Sequence, residues 1–286
     1  MSRAQWLPGA GVRIRAEVHG PPAQRTVLLL HGGGQTRHSW SEAAARIGAS
    51  GRQAIAVDLR GHGDSSWADD GDYRLDAFAA DLRSVVAALG TRPVVVGASL
   101  GGLAALLAVG EAPSIPCEAL VLVDIAVDVE QDGAERIVSF MQSAPDGFAS
   151  LEEAAEAIGA YRPGRPRPRD LSGLAKNLRE GADGRWRWHW DPQLFTGDLT
   201  PRASRHPGRL EVAARAIDVP TLLVRGRQSD LLSARGAERF LAMAPDARLV
   251  DVSGAGHMVV GDRNEVFVSA VLDFLDELDE DQSETA

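Results

Sequence analysis

A serine flanked by glycines is the residue in this chain whose setting most clearly suggests chemistry. The apolar run PVVVG (93–97) is typical of a buried strand, and it leads through the turn GASLG (97–101) into a small-residue helix. A G-x-S-x-G turn between strand and helix strains its serine and exposes the hydroxyl at the edge of a sheet. Ser99 is therefore the candidate nucleophile for attack on a carbonyl carbon.

A serine hydroxyl attacks only when a positioned base takes its proton. His257 follows the last predicted strand in the glycine-containing loop GAGHMVV, so it is the candidate base. The other histidines after Ser99 are His189 and His206, and both are interpreted as surface residues.

The base in turn needs a carboxylate that fixes its tautomer. Asp230 follows the predicted strand TLLVRG (221–226), and the order Ser99, Asp230, His257 suits a serine hydrolase built on a parallel sheet. Asp124, which ends the run ALVLVD, is the rival. The sequence favours Asp230.

The loop HGGGQ (31–35) is the candidate source of oxyanion donors. We expect the backbone NH groups of Leu100 and Gly33 to stabilise the developing negative charge, with Gly34 as the alternative donor and as a substrate contact. His31 is expected to pin this loop. No Gly-Lys-Ser/Thr sequence follows the glycines, which argues against a phosphate loop.

The elements that must position these residues alternate between short apolar runs and amphipathic segments. This pattern is typical of an α/β fold, a mostly parallel sheet flanked by helices. Regular alternation stops between residues 128 and 208, which predicts a largely helical insertion after the sixth strand. The predicted domains are a core in two parts (1–127 and 209–277), a cap (128–208) and a polar, frayed tail (278–286).

Composition limits the partners. The formal charge of −10 argues against nucleic acid and against anionic membrane surfaces. We see no signal peptide and no membrane-spanning run, so a cytoplasmic protein is expected. The single cysteine, Cys117, is expected to be buried and unreactive. No metal-ligand pattern or cofactor motif is recognised, so a small-molecule substrate without metal or cofactor is expected.

Two features of the cap bear on the substrate. Trp186, Trp188 and Trp190 alternate with a period of two, so in a strand they share one face. They are candidates for lining an apolar or aromatic acyl pocket, although docking of the cap on the core explains them equally well. The Pro- and Arg-rich segment 162–169 is interpreted as a solvated loop.

Five ordered motifs, LLLHGGG, DLRGHGDS, GASLGG, VRGRQSD and GAGHMV, resemble those of the α/β-hydrolase superfamily. The resemblance covers the chain outside the insertion. It implies Ser99 as nucleophile, Asp230 as acid and His257 as base, and Gly33 and Leu100 as oxyanion donors. It also implies that the insertion is a cap domain and that residues 58–65 form a structural loop without a chemical role.

The resemblance implies hydrolysis of a carboxylic ester or lactone through an acyl-enzyme. Carbon–carbon bond hydrolysis and cofactor-free perhydrolysis use the same three residues and stay open as alternatives. A different class, a non-catalytic protein that uses the cavity to bind a ligand, also stays open, and turnover is what separates it from an enzyme.

Overall fold

The structure is a computed structural model that describes residues 2–23, 25–161, 171–195, 208–262 and 264–285. Within these ranges no helix is both long enough and apolar enough to cross a bilayer. The strands are β1 (Arg3–Pro8), β2 (Arg13–His19), β3 (Thr26–Leu30), β4 (Gln53–Val57), β5 (Val94–Ala98), β6 (Ala119–Val123), β7 (Leu178–Glu180), β8 (Trp186–Trp188), β9 (Thr221–Gly226) and β10 (Ala247–Val252).

Eight of these strands form one sheet in the order β1-β2-β4-β3-β5-β6-β9-β10. The six from β4 to β10 run parallel, whereas β1 and β2 are antiparallel to their neighbours. The runs TVLLL of β3 and ALVLV of β6 are buried at every position, as expected for central strands covered on both faces. This confirms the predicted fold class.

Helices cover both faces of the sheet. They are α1 (Ser41–Ala49), α2 (Leu75–Leu89), α3 (Leu100–Gly110), α4 (Gln131–Met141), α5 (Leu151–Tyr161), α6 (Arg209–Arg215), α7 (Ala234–Met243), α8 (Val259–Asp262) and α9 (Asn264–Thr285). Apolar side chains of α2, α3, α6 and α7 belong to one core cluster, and those of α1 and α9 belong to another. Because successive side chains of a strand point to opposite faces, the strands contribute to both clusters.

The predicted cap region lies between β6 and β9 and contains α4, α5 and the antiparallel hairpin β7–β8. This hairpin carries Trp186 and Trp188 and was not predicted from the sequence. Phe148 extends it through a backbone bridge to Trp186. The basic segment 162–169 and His206 lie outside the described residues, and the domain boundaries stay predictions.

The C-terminal segment differs from the prediction of a frayed tail. Helix α9 continues through Leu278 to Thr285. The buried guanidinium group of Arg25 donates hydrogen bonds to the carbonyl oxygens of Leu275 (3.0 Å) and Leu278 (3.2 Å). Arg52 donates to Asp276 at 2.6 Å. Both arginines therefore hold α9 against the core near Leu278.

Candidate active site

Ser99 lies at the turn between β5 and α3, and its backbone is strained. Its φ angle is +47°, a region that non-glycine residues rarely adopt. Small neighbours make the turn possible: a Cβ atom on Gly97 would lie 2.6 Å from the Gly101 carbonyl oxygen, and one on Gly101 would lie 2.7 Å from the His31 carbonyl oxygen. The glycines of the GASLGG motif therefore allow β5, α3 and the loop after β3 to meet at Ser99.

The loop after β3 contacts the serine turn directly. A Cβ atom on Gly32 would lie 3.1 Å from the Cβ atom of Ser99. Within this loop, the NH of Gly32 donates to the Gln35 side chain (3.1 Å) and the NH of Gly34 donates to His62 Nε2 (3.1 Å). The NH of Gly33 has no acceptor among the described residues. The geometry thus favours Gly33 over Gly34 as the loop's free donor.

The second expected donor is the NH of Leu100. Leu100 is the first residue of α3, and the first NH groups of a helix have no partner within the helix. The positive end of the helix dipole adds to the attraction for a negative charge at this point. Two backbone donors on separate elements therefore stand next to Ser99.

His257 is paired with a buried carboxylate. Its Nδ1 atom lies 2.8 Å from Oδ2 of Asp124, which is fully buried at the end of β6. An ionised carboxylate only accepts hydrogen bonds, so Nδ1 of His257 carries the proton and Nε2 is left with its lone pair. The half-buried imidazole is therefore held in the tautomer that a general base needs.

The structure places Asp230, the acid predicted from the sequence, away from His257. The side chain of Asp230 is 42% exposed and pairs with Arg136 at 2.5 Å, so it does not make the predicted contact with His257. The reason is topological. β6 and β9 are adjacent parallel strands, so a carboxylate after either strand lies at the same edge of the sheet and satisfies the same chain order. The rival, Asp124, makes the contact.

The loop after β9 supports Asp124. The NH of Gly226 donates to Asp124 Oδ1 at 2.9 Å, and the Ser229 hydroxyl donates to Oδ2. Ser229 Oγ also accepts from the NH of Leu231 at 3.1 Å, which fixes the hydroxyl. The loop that carries Asp230 thus supplies two donors that hold the Asp124 carboxylate in place.

Gln35 connects the loop after β3 with the loop that carries His257. Its Oε1 atom accepts the NH of Gly32, and its Nε2 atom lies 3.0 Å from the sulfur of Met258. On the other side of the His257 loop, a Cβ atom on Gly226 would lie 2.3 Å from the Gly256 carbonyl oxygen. Both contacts restrict the backbone on which His257 sits.

The predicted cap region covers the glycine loop with a roof formed by Met141, Trp188 and Trp190. A Cβ atom on Gly34 would lie 2.8 Å from Cε of Met141, at the end of α4, and 3.4 Å from Trp190. Trp188 stacks on Trp190 with ring centres 4.8 Å apart, and Phe140 lies against Trp188 at 5.5 Å. An apolar, largely aromatic surface therefore faces the candidate oxyanion loop.

The three tryptophans have different surroundings. Trp190 is buried against Gly34, whereas Trp186 and Trp188 are half-buried and pack on a small cap cluster that contains Phe148 and Leu178. Trp188 connects the two sets through its stacking on Trp190. Of the three, Trp190 therefore has the position best suited to contact a bound acyl group.

Three histidine rings lie in a row behind the glycine loop. His31 and His62 have ring centres 5.1 Å apart, and His62 and His189 have centres 5.9 Å apart. All three side chains are buried, so the interpretation of His189 as a surface residue is wrong. Burial lowers the pKa of His31 to about 4 and that of His62 to about 3, and it also lowers the pKa of His189. These rings are neutral at pH 7.

His31 pins the glycine loop as predicted. Its Nδ1 atom lies 2.7 Å from the Gly32 carbonyl oxygen, and its Nε2 atom accepts the NH of Leu59 at 3.0 Å. Cys117 is buried, and burial raises the pKa of its thiol to about 11. Both residues have the structural surroundings that their sequence settings indicated.

Sequence reasoning missed Met141, Ser229 and the connection of His62 to the glycine loop. The methionine lies in an insertion without a recognisable motif, so no sequence signal identified it. Ser229 precedes Asp230 in the motif VRGRQSD, and His62 lies in DLRGHGDS; each was passed over although its motif was recognised.

Comparison with known proteins identifies the family of this chain. Residues 27–270 match the family model described as the alpha/beta hydrolase family. Esterase Rv0045c of Mycobacterium tuberculosis is 31% identical over 258 residues, which cover 87% of this chain and 82% of the esterase. The 3-hydroxybutyrate-oligomer hydrolase of Cupriavidus necator is 29% identical over 267 residues, 88% of this chain and 90% of that protein.

Solved structures give the same result for the fold. The crystal structure of E-2-(acetamidomethylene)succinate hydrolase superposes with a TM-score of 0.83 at 22% identity and covers 96% of this chain and 100% of that one. The structure of the M. tuberculosis esterase gives a TM-score of 0.74 at 27% identity, with 96% and 92% covered. With this family match, this sheet topology and these esterase relatives, the chain belongs to the alpha/beta hydrolase family and is an esterase-like hydrolase.

Proposed function

We propose that this protein is a serine esterase that cleaves small carboxylic esters through an acyl-enzyme, with Ser99 as nucleophile, His257 as base and Asp124 as the acid. The observation that carries the proposal is the buried contact between Asp124 and His257 at 2.8 Å. It lies at the carboxyl edge of the sheet, where the strained Ser99 also lies. A protein that only binds a ligand in this cavity would not need a histidine paired with a buried carboxylate.

The reaction follows from the roles of these groups. Ser99 Oγ attacks the acyl carbon while its proton passes to Nε2 of His257, and Asp124 stabilises the resulting imidazolium. The NH groups of Gly33 and Leu100 bind the oxyanion. Collapse breaks the bond to the leaving oxygen, which takes the proton from His257. Water, deprotonated by the same imidazole, then hydrolyses the acyl-enzyme to the free acid and regenerates Ser99.

The substrate class is inferred from the roof. Met141, Trp190 and Trp188 present apolar and aromatic surface beside Gly34, which favours an apolar or aryl acyl group over a charged one. The esterase and the hydroxybutyrate-oligomer hydrolase among the relatives support ester or lactone chemistry ahead of carbon–carbon cleavage.

Hydrolysis of a panel of p-nitrophenyl esters by the wild type and by Ser99→Ala tests the proposal, together with labelling by a fluorophosphonate. We expect wild-type turnover of short-chain or aryl esters, and loss of labelling and of about 10⁶-fold in kcat in the variant. Equal activity of the two proteins contradicts the role of Ser99. A folded wild type that neither labels nor cleaves any ester contradicts the esterase and supports a ligand-binding protein.

A further inference from the structure

We propose that His62, held in place together with His189 of the cap, is a positioning residue that fixes the glycine loop in the conformation in which Gly33 can act as an oxyanion donor. This rests on the proposed esterase function. It assigns a role to the segment DLRGHGDS and makes the cap part of the catalytic machinery.

The loop needs an external constraint because it contains three consecutive glycines. Glycine lacks the steric restrictions that hold other backbones in one conformation, and Gly34 has a φ angle of +72°. A flip of the peptide between Gly33 and Gly34 would exchange the directions of its NH and C=O groups, because these point to opposite sides of a trans peptide. Such a flip changes the ψ angle of Gly33 and the φ angle of Gly34, so it would alter the backbone of Gly33 itself and the conformation in which its NH serves as a donor.

His62 opposes this flip. Its Nε2 atom accepts the NH of Gly34 at 3.1 Å, so the NH points toward the imidazole and the Gly33 carbonyl points away from it. Nδ1 of His62 lies 2.8 Å from the Arg60 carbonyl oxygen, and a carbonyl only accepts. The proton therefore sits on Nδ1, and Nε2 is fixed as the acceptor that the Gly34 NH requires.

His189 holds the other side of Gly34. Its Nδ1 atom accepts the NH of Gly63 at 2.8 Å, which leaves the proton on Nε2. That Nε2 atom faces the Gly34 carbonyl oxygen at 3.4 Å, a long hydrogen bond. The two peptides that flank Gly34 are thus held by two different imidazoles.

The cap supplies His189, which follows β8, and neighbouring contacts dock this segment on the core. The NH of Asp191 donates to the Gly61 carbonyl oxygen at 2.9 Å, and the Tyr73 hydroxyl donates to the buried Asp191 carboxylate at 2.5 Å. When the cap is docked, its histidine reaches the glycine loop. The catalytic geometry of the core is therefore coupled to the seating of the cap.

The variants His62→Asn and His62→Gln separate positioning from packing. The asparagine can replace the Nδ1 donor to Arg60 but is too short to accept the Gly34 NH, whereas the longer glutamine places an oxygen near the position of Nε2. We expect His62→Asn to lose about 10–100-fold in kcat on a p-nitrophenyl ester with KM changed less than about 3-fold, and His62→Gln to recover most of the loss.

Binding of a trifluoromethyl ketone provides a second readout. This inhibitor forms a tetrahedral adduct with the serine, whereas the product acid binds without one. We expect His62→Asn to weaken the ketone by about the same factor as kcat and to leave the affinity for the product acid within about 3-fold. His189→Asn, which retains an acceptor for Gly63 but cannot reach Gly34, should show the same pattern at a smaller size.

His19→Asn is the matched control, because it makes the same substitution at a histidine of β2 whose side chain pairs with Glu17 and has no part in holding the glycine loop. It should leave kcat and the ratio of ketone to product-acid affinity unchanged. The inference is overturned when folded His62→Asn keeps wild-type kcat, or when Asn and Gln variants lose kcat equally. An inactive Ser99→Ala alongside a normal His62→Asn overturns this inference alone, whereas an active Ser99→Ala overturns the esterase itself.

Discussion

Asp124 Oδ2 lies 2.8 Å from Nδ1 of His257, although 133 positions separate the two residues in the sequence. The contact forms because β6 and β9 are neighbours in the sheet and the loop after β10 folds back over their ends. The candidate acid is therefore Asp124, which follows β6, and not Asp230, which follows the neighbouring strand β9.

The variant Asp124→Asn is expected to lower kcat by about 10⁴-fold with a small change in KM, because the amide leaves His257 in the wrong tautomer without emptying the space. The measurement is steady-state hydrolysis of the best p-nitrophenyl ester. Asp230→Asn is the matched control, since it makes the same chemical change at a surface carboxylate. If Asp230→Asn is the damaging substitution of the two, the assignment of the acid is wrong.

The roof residue Met141 is expected to limit the size of the acyl group. Met141→Ala removes the side chain that lies over Gly34, so the ratio of kcat/KM for a bulky aryl ester to that for an acetyl ester should rise about 10-fold. Met243→Ala truncates a methionine of α7 that packs on the core, and it should leave this ratio unchanged. Equal shifts in both variants would argue against Met141 as a specificity residue.

The stability of the protein is expected to fall in mild acid because of its buried histidines. An unfolded histidine titrates near pH 6.5, whereas the pKa of His31 is about 4 and that of His62 about 3 in the fold. Below pH 6.5 the unfolded chain therefore binds more protons, and the free energy of unfolding decreases by up to about 1.4 kcal/mol per pH unit for each of these residues. Above pH 6.5 these histidines are mostly neutral in both the folded and the unfolded chain, so they cause no loss of stability there.

Urea denaturation at pH values from about 7.5 to 4.5 measures this effect. The variant His62→Gln lacks one of the titrating groups, so its free energy of unfolding should fall less steeply over the same range. Identical slopes for the two proteins would mean that His62 takes up its proton without a cost to the fold.

The buried ion pair between Arg60 and Asp81 is expected to be important for stability. The guanidinium group contacts both carboxylate oxygens, at 2.6 and 2.7 Å, and both side chains are buried. Arg60→Met leaves the carboxylate buried without its partner, so we expect a loss of about 3–5 kcal/mol in the free energy of unfolding. Arg74→Met breaks the exposed pair with Asp72 and should leave the urea midpoint close to that of the wild type.

The sequence predicts the central sheet well because burial on both faces leaves continuous apolar runs. The predicted strand TLLVRG coincides with β9 residue for residue. The hairpin β7–β8 was not predicted because each strand has three residues, too few to show a period. Its pairing depends on contacts with Phe148, which a local pattern does not contain.

The structure agrees with the sequence predictions where one local motif determines the geometry. It differs from them where the result depends on which strand end lies next to a given side chain. The turn at Ser99 is specified by its own glycines, and the loop of His257 by its place after the last strand. The choice between Asp124 and Asp230 depends on which strand end faces the imidazole, and both candidates satisfy the same order along the chain. His189 was misassigned because its burial results from cap docking, which its neighbours in sequence do not reveal.

The clamping of α9 by two arginines has a consequence for how the chain folds. The bond from Arg25 to the Leu278 carbonyl oxygen closes a separation of 253 residues, and that from Arg52 to Asp276 closes one of 224. Closing loops of this length costs more conformational entropy than closing short ones. Until α9 docks, the apolar side chains of α1 in the same cluster lack the cover that α9 gives them, so we expect this face of the sheet to close late in folding.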